Sequence, residues 1–363
     1  MVIVGANELS KLVRDIFIKA GCSPAEGDRI GKSLVGANLT GHDSHGVVRV
    51  PRYLEWKAEG AFIADRKVEV VRETPVLAVV DGLYGFGQTV APQAVEIGIK
   101  KCKAMGLSAV ALRNAGHVGR VGEWAEMAAQ AGLVSIHYVN AASSLLVAPF
   151  GGVDRRMSTA PYAIGVPRRG EDPLVLDFAT SVVAEGKVLV ASQGGKKLPD
   201  DALVDPSGKI SGDPRVLYGD YASGGDRDYL KGEGAIRAFG EHKGSGLAFM
   251  VEILGGSLTG TGAAIEGRRW ANGMLSFYVD PAQFDPDDLF PADVKRYVQF
   301  FKSSRPIEQG GEVLVPGEPE LRTRRNRLAE GVPLSDDIWA RIVTSAREVG
   351  VDEVTIQAAT RRG

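Results

Sequence analysis

Residues 76–92 have the sequence VLAVVDGLYGFGQTVAP, which starts as a Val-rich strand and continues as a turn and a helix. Gly85 and Gly87 begin the glycine pattern of a Rossmann turn, but that pattern needs a third small residue where this chain has Val90. No acidic residue stands about twenty residues further on, where a Rossmann fold places one. The stretch therefore predicts an ordinary glycine-rich turn in a fold of another kind.

Helices are predicted at both ends of the chain, and strands are predicted mainly between them. Ser23-Pro24-Ala25-Glu26 is a capping box with proline in the first helical turn, so it predicts a helix that runs to Leu39. Val-rich runs predict strands at 67–72 and 76–80, and further strands are predicted at 107–112, 133–139 and 273–279. Residues 196–237 are polar and rich in Gly, Asp and Pro, which predicts a long excursion with little regular structure.

The composition is that of an ordinary globular protein. Apolar residues make up 44% of the 363 residues, and the net charge of −2 provides no broad positive field, so nucleic acid is not an expected partner. Cys22 and Cys102 stand far apart in the sequence, which favours a reducing, cytoplasmic compartment. No run reaches the roughly eighteen apolar residues of a membrane span. Residues 1–9 also lack the apolar core of a signal peptide, so no membrane association is expected.

Several other kinds of catalytic site find little support. His42 and His45 could share a metal ion, but no further ligand follows them at a suitable spacing, so no metal is expected. Ser44 lies beside His45 without the Gly-x-Ser-x-Gly pattern of a hydrolase nucleophile. The stretch around Lys243 lacks the glycine spacing and the following Ser or Thr of a Walker loop.

Most of the histidines lie in or beside glycine-rich turns, where folds commonly present reactive groups. These are His42, His45, His117 and His242. Imidazole titrates close to neutral pH, so it is suited to proton transfer. His137 instead alternates with apolar residues in a strand and is expected to be a hydrogen-bonded core residue. A surface or capping role accounts equally well for any single turn histidine, but three such turns in one chain favour a site.

Two arginines follow His45 in a stretch that is predicted to be helical, 47–58. On a continuous helix, His45, Arg49 and Arg52 would occupy positions i, i+4 and i+7 of one face. Such a face suits a 2-oxo acid, because guanidinium groups bind a carboxylate and imidazole can protonate the carbonyl oxygen. The alternative is a solvated helix face with an ion-paired arginine.

Six stretches in a fixed order carry a family resemblance. They are Asp43-Ser44-His45-Gly46-Val47-Val48-Arg49, Gly116-His117-Val118-Gly119, Ala148-Pro149-Phe150-Gly151-Gly152, Leu176-Asp177-Phe178-Ala179-Thr180, Gly240-Glu241-His242-Lys243-Gly244 and Val315-Pro316-Gly317-Glu318. In order and spacing they resemble the type-2 malate/lactate dehydrogenase family, which includes ureidoglycolate, sulfolactate and diketogulonate dehydrogenases and cyclic-imine reductases. The stretch at 240–244 is most similar to the hydroxycarboxylate dehydrogenase B subgroup.

The resemblance implies an α/β (α+β) fold of the sulfolactate dehydrogenase kind, in which a largely antiparallel, non-Rossmann sheet domain binds NAD or NADP. It implies a domain of residues 76–304 for the cofactor. Residues 1–75 and 305–363 would form a helical domain for substrate binding and dimer formation. A homodimer with its active site near the subunit interface is implied as well.

The resemblance also implies a role for individual residues. His45 would be the catalytic acid/base and His117 a second candidate, while Ser44, Arg49 and Arg52 would bind the substrate. The residues implied to bind NAD or NADP are Gly119, Arg120, Val121, Asp177, Phe178, Ala179, Thr180, Ser181, His242, Lys243, Gly244, Asn272, Pro316, Gly317 and Glu318. One departure concerns Ser158-Thr159-Ala160-Pro161, where many relatives have Gly-Thr-Asn-Pro.

The function expected from these residues is hydride transfer between NAD(P)H and the carbonyl carbon of a small 2-oxo acid. Backbone N–H groups in the glycine-rich turns and the Lys243 ammonium are suited to a pyrophosphate, and the cofactor would supply the redox chemistry. Two alternatives stay open: reduction of a cyclic imine carboxylate, and cofactor binding without catalysis.

Overall fold

The computed structural model describes residues 1–194, 197–222 and 227–360. The strands are β1 (Val2–Val4), β2 (Glu69–Glu73), β3 (Leu77–Asp81), β4 (Leu107–Ala115), β5 (Val134–Ala141), β6 (Val147–Ala148), β7 (Pro161–Val166), β8 (Leu174–Ala179), β9 (Leu203–Val204), β10 (Ile210–Ser211), β11 (Ala235–Arg237), β12 (Asn272–Val279) and β13 (Val332–Leu334). The helices are α1 (Ala6–Lys19), α2 (Pro24–Leu39), α3 (Val50–Ala58), α4 (Gly87–Met105), α5 (Gly122–Gln130), α6 (Glu185–Ser192), α7 (Arg215–Tyr218), α8 (His242–Val251), α9 (Phe290–Lys302), α10 (Glu318–Glu330), α11 (Asp336–Glu348) and α12 (Glu353–Thr360). The mixed α/β class expected from the sequence is confirmed.

Ser23 caps the start of α2 as predicted, but the reciprocal half of the capping box was wrong: the Ser23 backbone N–H donates to Asp65 Oδ2 at 2.9 Å, and the Glu26 carboxylate accepts from Asp65 and Thr89 instead. Ser23 Oγ accepts a hydrogen bond from the backbone N–H of Glu26 at 3.2 Å, and Pro24 occupies the first helical position, where its missing N–H costs nothing. The helix ends at Leu39, as expected from the sequence. Helix α1 presents an apolar face to the interior, which includes the fully buried Leu9 and Phe17.

The stretch 76–92 forms a strand, a turn and a helix. The sequence pattern predicts a helix from Pro92 to Met105, but α4 begins at Gly87, so the predicted start was wrong. Strand β3 pairs antiparallel with β2 and parallel with β4, and α4 connects the two parallel strands. A Cβ atom at Gly87 would lie 2.1 Å from the carbonyl oxygen of His117. This glycine is therefore needed for a close backbone approach, which explains the Gly-x-Gly pattern without a nucleotide.

Three sheets contain the strands. The largest has the order β2-β3-β4-β12-β5-β7-β8, a second has the order β10-β9-β11-β6, and β1 pairs with β13. The excursion at 196–237 was expected to have little regular structure, and this was wrong in part, because β9, β10, α7 and β11 lie in it and β9 pairs with both β10 and β11. Residues 196 and 223–226 of that expectation lie outside the described residues.

The chain divides into two compact units. Unit 1 comprises 1–137, 163–177 and 276–363, and unit 2 comprises 138–162 and 178–275. The chain passes between them within β5, β7, β8 and β12. The sequence-based division into residues 76–304 and the two chain ends stays a prediction. Within the described residues, none of the helices is both long enough and apolar enough to cross a membrane.

Each unit has its own core. In unit 1, aromatic rings pack edge to face around Phe86, which contacts Phe17 and Phe62 at ring-centroid distances of 5.7 and 5.5 Å. In unit 2, buried aliphatic side chains from β6, β9, β11 and α8 join those of α6 and α7 in one cluster.

Candidate active site

The turn that carries His45 is fixed by two side chains of unit 1. Asn38, which is buried, donates from Nδ2 to Asp43 Oδ1 at 2.6 Å and accepts from the backbone N–H of Val47 at 2.8 Å. Arg327 of α10 binds both carboxylate oxygens of Asp43, at 2.6 and 3.0 Å. Residues on both sides of His45 are therefore held in place by side chains outside the turn, one nearby in the sequence (Asn38) and one distant (Arg327).

His45 does not lie on a continuous helix with Arg49 and Arg52, so that expectation was wrong. Two short 3₁₀ helices, Asp43–His45 and Val47–Arg49, precede α3 and meet at Gly46, whose backbone is extended. A Cβ atom at Gly46 would lie 2.2 Å from the Asn38 side chain. The close approach of Asn38 therefore breaks the helix that local spacing predicted.

The two candidate acid/base residues of unit 1 stack on each other. The rings of His45 and His117 lie 5.4 Å apart between centroids and 15° from parallel. Burial, reinforced by the charge of Arg49, lowers the pKa of His45 to about 3. The same two causes hold the pKa of His117 well below its usual range. Both imidazoles are therefore neutral near neutral pH, as long as no further negative charge is bound beside them.

A tyrosine and a glutamine orient His117. Tyr53 Oη lies 2.5 Å from His117 Nδ1, and Gln88 Nε2 donates to Tyr53 Oη at 3.1 Å and to the carbonyl oxygen of His117 at 3.1 Å. Because the glutamine amide donates to the phenol oxygen, the phenol proton is directed to Nδ1, and the neutral ring carries its own proton on Nε2. Burial raises the pKa of the Tyr53 phenol, which keeps it protonated. Sequence analysis missed both residues.

The two predicted substrate arginines are placed differently. Arg49 Nε donates to the carbonyl oxygen of Ser44 at 2.6 Å, and its terminal nitrogens bind no other residue in the described part of the chain. Arg52 forms an ion pair with Glu55 at 2.8 Å and lies over the Trp56 ring at 4.9 Å. Ser44 Oγ lies 3.1 Å from His45 Nδ1, so Ser44, His45 and Arg49 form one group.

Several predicted cofactor residues line a small cavity of unit 1. Its volume is about 80 Å³, and its lining includes Arg120, Asp177 and Gly317. Asp177 accepts from the backbone N–H of Gly122 at 2.8 Å, and burial raises the pKa of its carboxyl against the opposing charges of His42 and Arg120. Arg120 is itself buried and pairs with Glu126 at 2.5 Å. The cavity therefore combines charges of both signs beside the first turn of α5.

The remaining predicted cofactor residues of unit 1 lie at chain turns. Gly119 has a φ of +72°, and Val121 precedes the first residue of α5. Pro316 accepts at its carbonyl oxygen from the backbone N–H of Val175 at 3.3 Å. Glu318 begins α10 and pairs with Lys302. Backbone groups at these two helix starts can contact an anionic ligand.

In unit 2, the segment Phe178–Ser181 is held on both sides. Thr180 donates from its backbone N–H to the carbonyl oxygen of Thr159 at 3.0 Å, and its own carbonyl oxygen accepts from Phe239 at 3.2 Å. Thr180 and Ser181 are buried, whereas Phe178 and Ala179 are partly exposed. The buried pair therefore anchors the segment, and the exposed pair can contact a ligand.

The start of α8 carries three of the predicted cofactor residues of unit 2. His242, Lys243 and Gly244 form its first turn, and the side chains of His242 and Lys243 are exposed, while the backbone N–H of Lys243 donates to the carbonyl oxygen of Gly240 at 3.2 Å. The His242 ring packs against Phe150 at 5.9 Å. Phe150 lines a cavity of about 270 Å³ together with Arg237 and Glu241.

Two further predictions concern buried polar residues. Asn272, at the start of β12, is buried and donates from Nδ2 to the carbonyl oxygen of Asn140 at 2.7 Å. His137 is fully buried, with Ser276 Oγ at 2.8 Å from Nδ1 and Ser135 Oγ at 3.0 Å from Nε2, which confirms it as a hydrogen-bonded core residue. Within the described residues, no group of three or more His, Cys, Asp or Glu side chains is arranged to hold a metal ion.

Comparison with known proteins agrees with this fold. The sequence model of the malate/L-lactate dehydrogenase family matches residues 4–343. Hydroxycarboxylate dehydrogenase B of Escherichia coli (strain K12) is 35% identical over 359 residues, which cover 97% of this chain and 96% of the relative. The solved structure of the sulfolactate dehydrogenase of Methanocaldococcus jannaschii has a TM-score of 0.84 at 31% identity and covers 99% of this chain and 100% of that one. The malate dehydrogenase of Pyrococcus horikoshii OT3 has a TM-score of 0.83 at 29% identity, with coverages of 97% and 96%.

The fold is therefore that of the sulfolactate and malate dehydrogenases. The chain belongs to the malate/L-lactate dehydrogenase family, a family of 2-hydroxy acid dehydrogenases.

Proposed function

We propose that this protein transfers a hydride between NAD(P)H and the carbonyl carbon of a small 2-oxo acid, with His45 as the acid/base. The observation that carries the proposal is the group formed by Ser44, His45, Arg49 and His117. It combines two stacked, neutral imidazoles with a guanidinium whose terminal nitrogens bind no other described residue. Proton transfer and carboxylate binding are the two tasks that a 2-oxo acid reductase leaves to its protein.

Arg49 is proposed to bind the substrate carboxylate. Its Nε is already bound to the Ser44 carbonyl, which fixes the side chain while leaving the terminal nitrogens for a bidentate contact. Arg52 is paired with Glu55 and would first have to give up that ion pair. Arg49 is therefore the better candidate of the two.

His117 and His45 are proposed to divide the work at the carbonyl oxygen. His117 presents a proton on Nε2, because Tyr53 occupies Nδ1, and can polarise the carbonyl with a hydrogen bond. The bound carboxylate adds a negative charge beside His45 and opposes the lowering of its pKa by Arg49. The bound carboxylate therefore acts to raise the pKa of His45, which is proposed to give its proton to the oxygen.

Each unit, taken by itself, contains groups that suit a nicotinamide cofactor. In unit 2, the first turn of α8 with Lys243 fits a pyrophosphate. In unit 1, the cavity at Arg120, Asp177 and Gly317 offers donors, acceptors and one backbone turn. When bound, the cofactor supplies the hydride, and the protein supplies its orientation and the proton. NAD and NADP are both consistent with these groups.

The test is a matrix of two cofactors against a panel of carbonyl acids, followed by the absorbance of the reduced nicotinamide. We expect turnover of NADH or NADPH with at least one of oxaloacetate, pyruvate, 2-oxoglutarate and phenylpyruvate. Turnover restricted to cyclic imine carboxylates would replace the proposed substrate class. Absence of turnover across the full matrix, with a cofactor bound, would leave a binding protein and contradict the proposal.

We also propose a homodimer in a cytoplasmic compartment. Unit 1 carries exposed aromatic side chains on α9, namely Tyr297, Phe300 and Phe301, which a second subunit could cover. Light scattering of the eluting protein should give twice the chain mass, and a monomer at micromolar concentration would contradict the dimer.

A further inference from the structure

A buried carboxylate of unit 2, Glu252, is linked by hydrogen bonds to two parts of the chain that are predicted to bind the cofactor. These are the segment Phe178–Ser181 and Asn272. Glu252 is 5% exposed and begins the π-helical turn Glu252–Ser257 that follows α8. Oε1 accepts from the backbone N–H of Ser158 at 3.0 Å and from its hydroxyl at 2.5 Å. Oε2 accepts from Asn140 Nδ2 at 3.1 Å and from the backbone N–H of Ala264 at 3.0 Å. Four donors thus fill the acceptor capacity of an ionised carboxylate.

One branch of this network leads from Glu252 to Thr180. The Ser158 hydroxyl, which donates to Glu252, also accepts from the backbone N–H of Ala160 at 3.1 Å. Thr180 Oγ1 donates to the carbonyl oxygens of Thr159 and Ala160, at 3.1 and 2.9 Å. Ala160 has a φ of +28°, a conformation that residues with a side chain rarely adopt, so this turn depends on its hydrogen bonds.

The other branch leads from Glu252 to Asn272. Asn140, which donates to Glu252 Oε2, accepts at Oδ1 from the backbone N–H of Gly273 at 3.1 Å. Its carbonyl oxygen accepts from Asn272 Nδ2 at 2.7 Å. Asn140, Asn272 and Ser158 are all buried, so water cannot easily replace any of these bonds.

We propose that Glu252 is a positioning residue for cofactor binding, which sets the placement of Phe178–Ser181 through Ser158 and that of Asn272 through Asn140. The inference rests on the proposed function, because it assumes that these segments contact the nicotinamide cofactor. A single buried group that fixes two binding segments lowers the ordering cost of binding. Glu252 would act on cofactor binding, which precedes hydride transfer. Its loss should therefore weaken cofactor binding more than substrate binding.

Two substitutions test this placement by different means. Ser158→Ala removes one hydroxyl and keeps the backbone N–H that binds Glu252. Glu252→Gln keeps the shape of the side chain but replaces one carboxylate oxygen by an NH2 group. That group would face donors that now bind Glu252, such as Asn140 Nδ2 and the backbone N–H of Ala264. We expect each variant to raise the dissociation constant for NADH or NADPH by about tenfold, the equivalent of one lost hydrogen bond to a charged group. We expect the KM for the 2-oxo acid to change by less than about twofold, because Arg49 is untouched.

The readout is fluorescence titration of the reduced cofactor without substrate, so it does not require turnover. Glu233→Gln is the matched control, because Glu233 is an exposed carboxylate of the same unit, and it should bind as the wild type does. The double variant Ser158→Ala/Glu252→Gln should lose less than the sum of the single losses, because both changes remove one contact.

The outcomes separate this inference from the proposed function. Wild-type protein that binds neither NADH nor NADPH would contradict the proposed function itself. Wild-type binding together with unchanged dissociation constants in both variants would overturn the role of Glu252 and leave the function standing. A lower melting temperature without weaker binding would make the network structural only and also overturn it. If Glu252→Gln does not fold, Ser158→Ala decides alone.

Discussion

Tyr53 donates its phenol proton to Nδ1 of His117 across 2.5 Å, although 64 residues separate them in the sequence. Gln88 holds the phenol from its other side, at 3.1 Å. Together they fix the neutral imidazole in the tautomer with its proton on Nε2. A histidine with a fixed tautomer presents one defined donor, whereas a free imidazole would present a donor or an acceptor.

Tyr53→Phe should therefore lower kcat more than it weakens cofactor binding. We expect kcat to fall by roughly 10- to 100-fold, because the imidazole can then adopt the wrong tautomer. The KM for the cofactor should stay near the wild-type value. Steady-state kinetics check this, with Tyr229→Phe, an exposed tyrosine of unit 2, as the control. A wild-type kcat in Tyr53→Phe would mean that the phenol has no role at His117.

Substitution of the two arginines near His45 should have very different effects on the KM for the 2-oxo acid. Arg49→Gln removes the guanidinium that is proposed to bind the carboxylate, so we expect the KM for the 2-oxo acid to rise by about 10- to 100-fold. Arg52→Gln breaks an exposed ion pair with Glu55 and should change KM by less than about threefold. Equal losses in both variants, measured against the same acid, would contradict this division of roles.

The close approach at Gly87 predicts a specific cost. In Gly87→Ala, the new Cβ would fall 2.1 Å from the carbonyl oxygen of His117, so either α4 or His117 must move. We expect a loss of at least about 2 kcal/mol in the free energy of unfolding.

Gly36→Ala is the matched control for that substitution. Gly36 is also helical, but its Cβ would meet no atom within 4 Å. This variant should gain about 0.5 to 1 kcal/mol from the better helix propensity of alanine. Urea unfolding measures both variants, and a neutral Gly87→Ala would show that the approach is not tight.

The stability of the protein should decrease in mild acid. Burial lowers the pKa of His137 from 6.5 to about 3 in the folded state, so the unfolded state binds more protons between these values. The stability from a neutral His137 is complete above the unfolded pKa and is lost as the pH falls toward 3. His137→Gln should therefore show a shallower fall of the unfolding free energy across this range, measured by urea unfolding at several pH values. Curves parallel to the wild type would contradict the assignment.

The sequence predicted those structural features that are formed by residues close together in the chain. Ser23 signalled the start of α2 because its cap bond to the backbone N–H of Glu26 lies within one turn. The role of His137 was likewise visible from strand alternation. The order of the glycine-rich turns predicted the family and the fold, since each turn leaves a local signature.

The sequence did not reveal those features that are formed by contacts with residues outside the local segment. Gly46 interrupts the helix expected after His45 because Asn38 lies against it, and nothing in the local spacing marks that contact. Tyr53 resembles any aromatic residue on the buried face of a short helix, so its bond to His117 could not be predicted. Glu252 lies in a strongly apolar stretch, and its donors come from three other parts of the chain.

The central claim is that His45 exchanges the proton that accompanies hydride transfer. Stopped-flow measurement of the first turnover in His45→Ala tests it most directly, with the reduced cofactor bound and a 2-oxo acid that the wild type reduces. We predict normal cofactor binding and a hydride-transfer rate that falls by about 10²- to 10⁴-fold. A first-turnover rate equal to that of the wild type would contradict the claim.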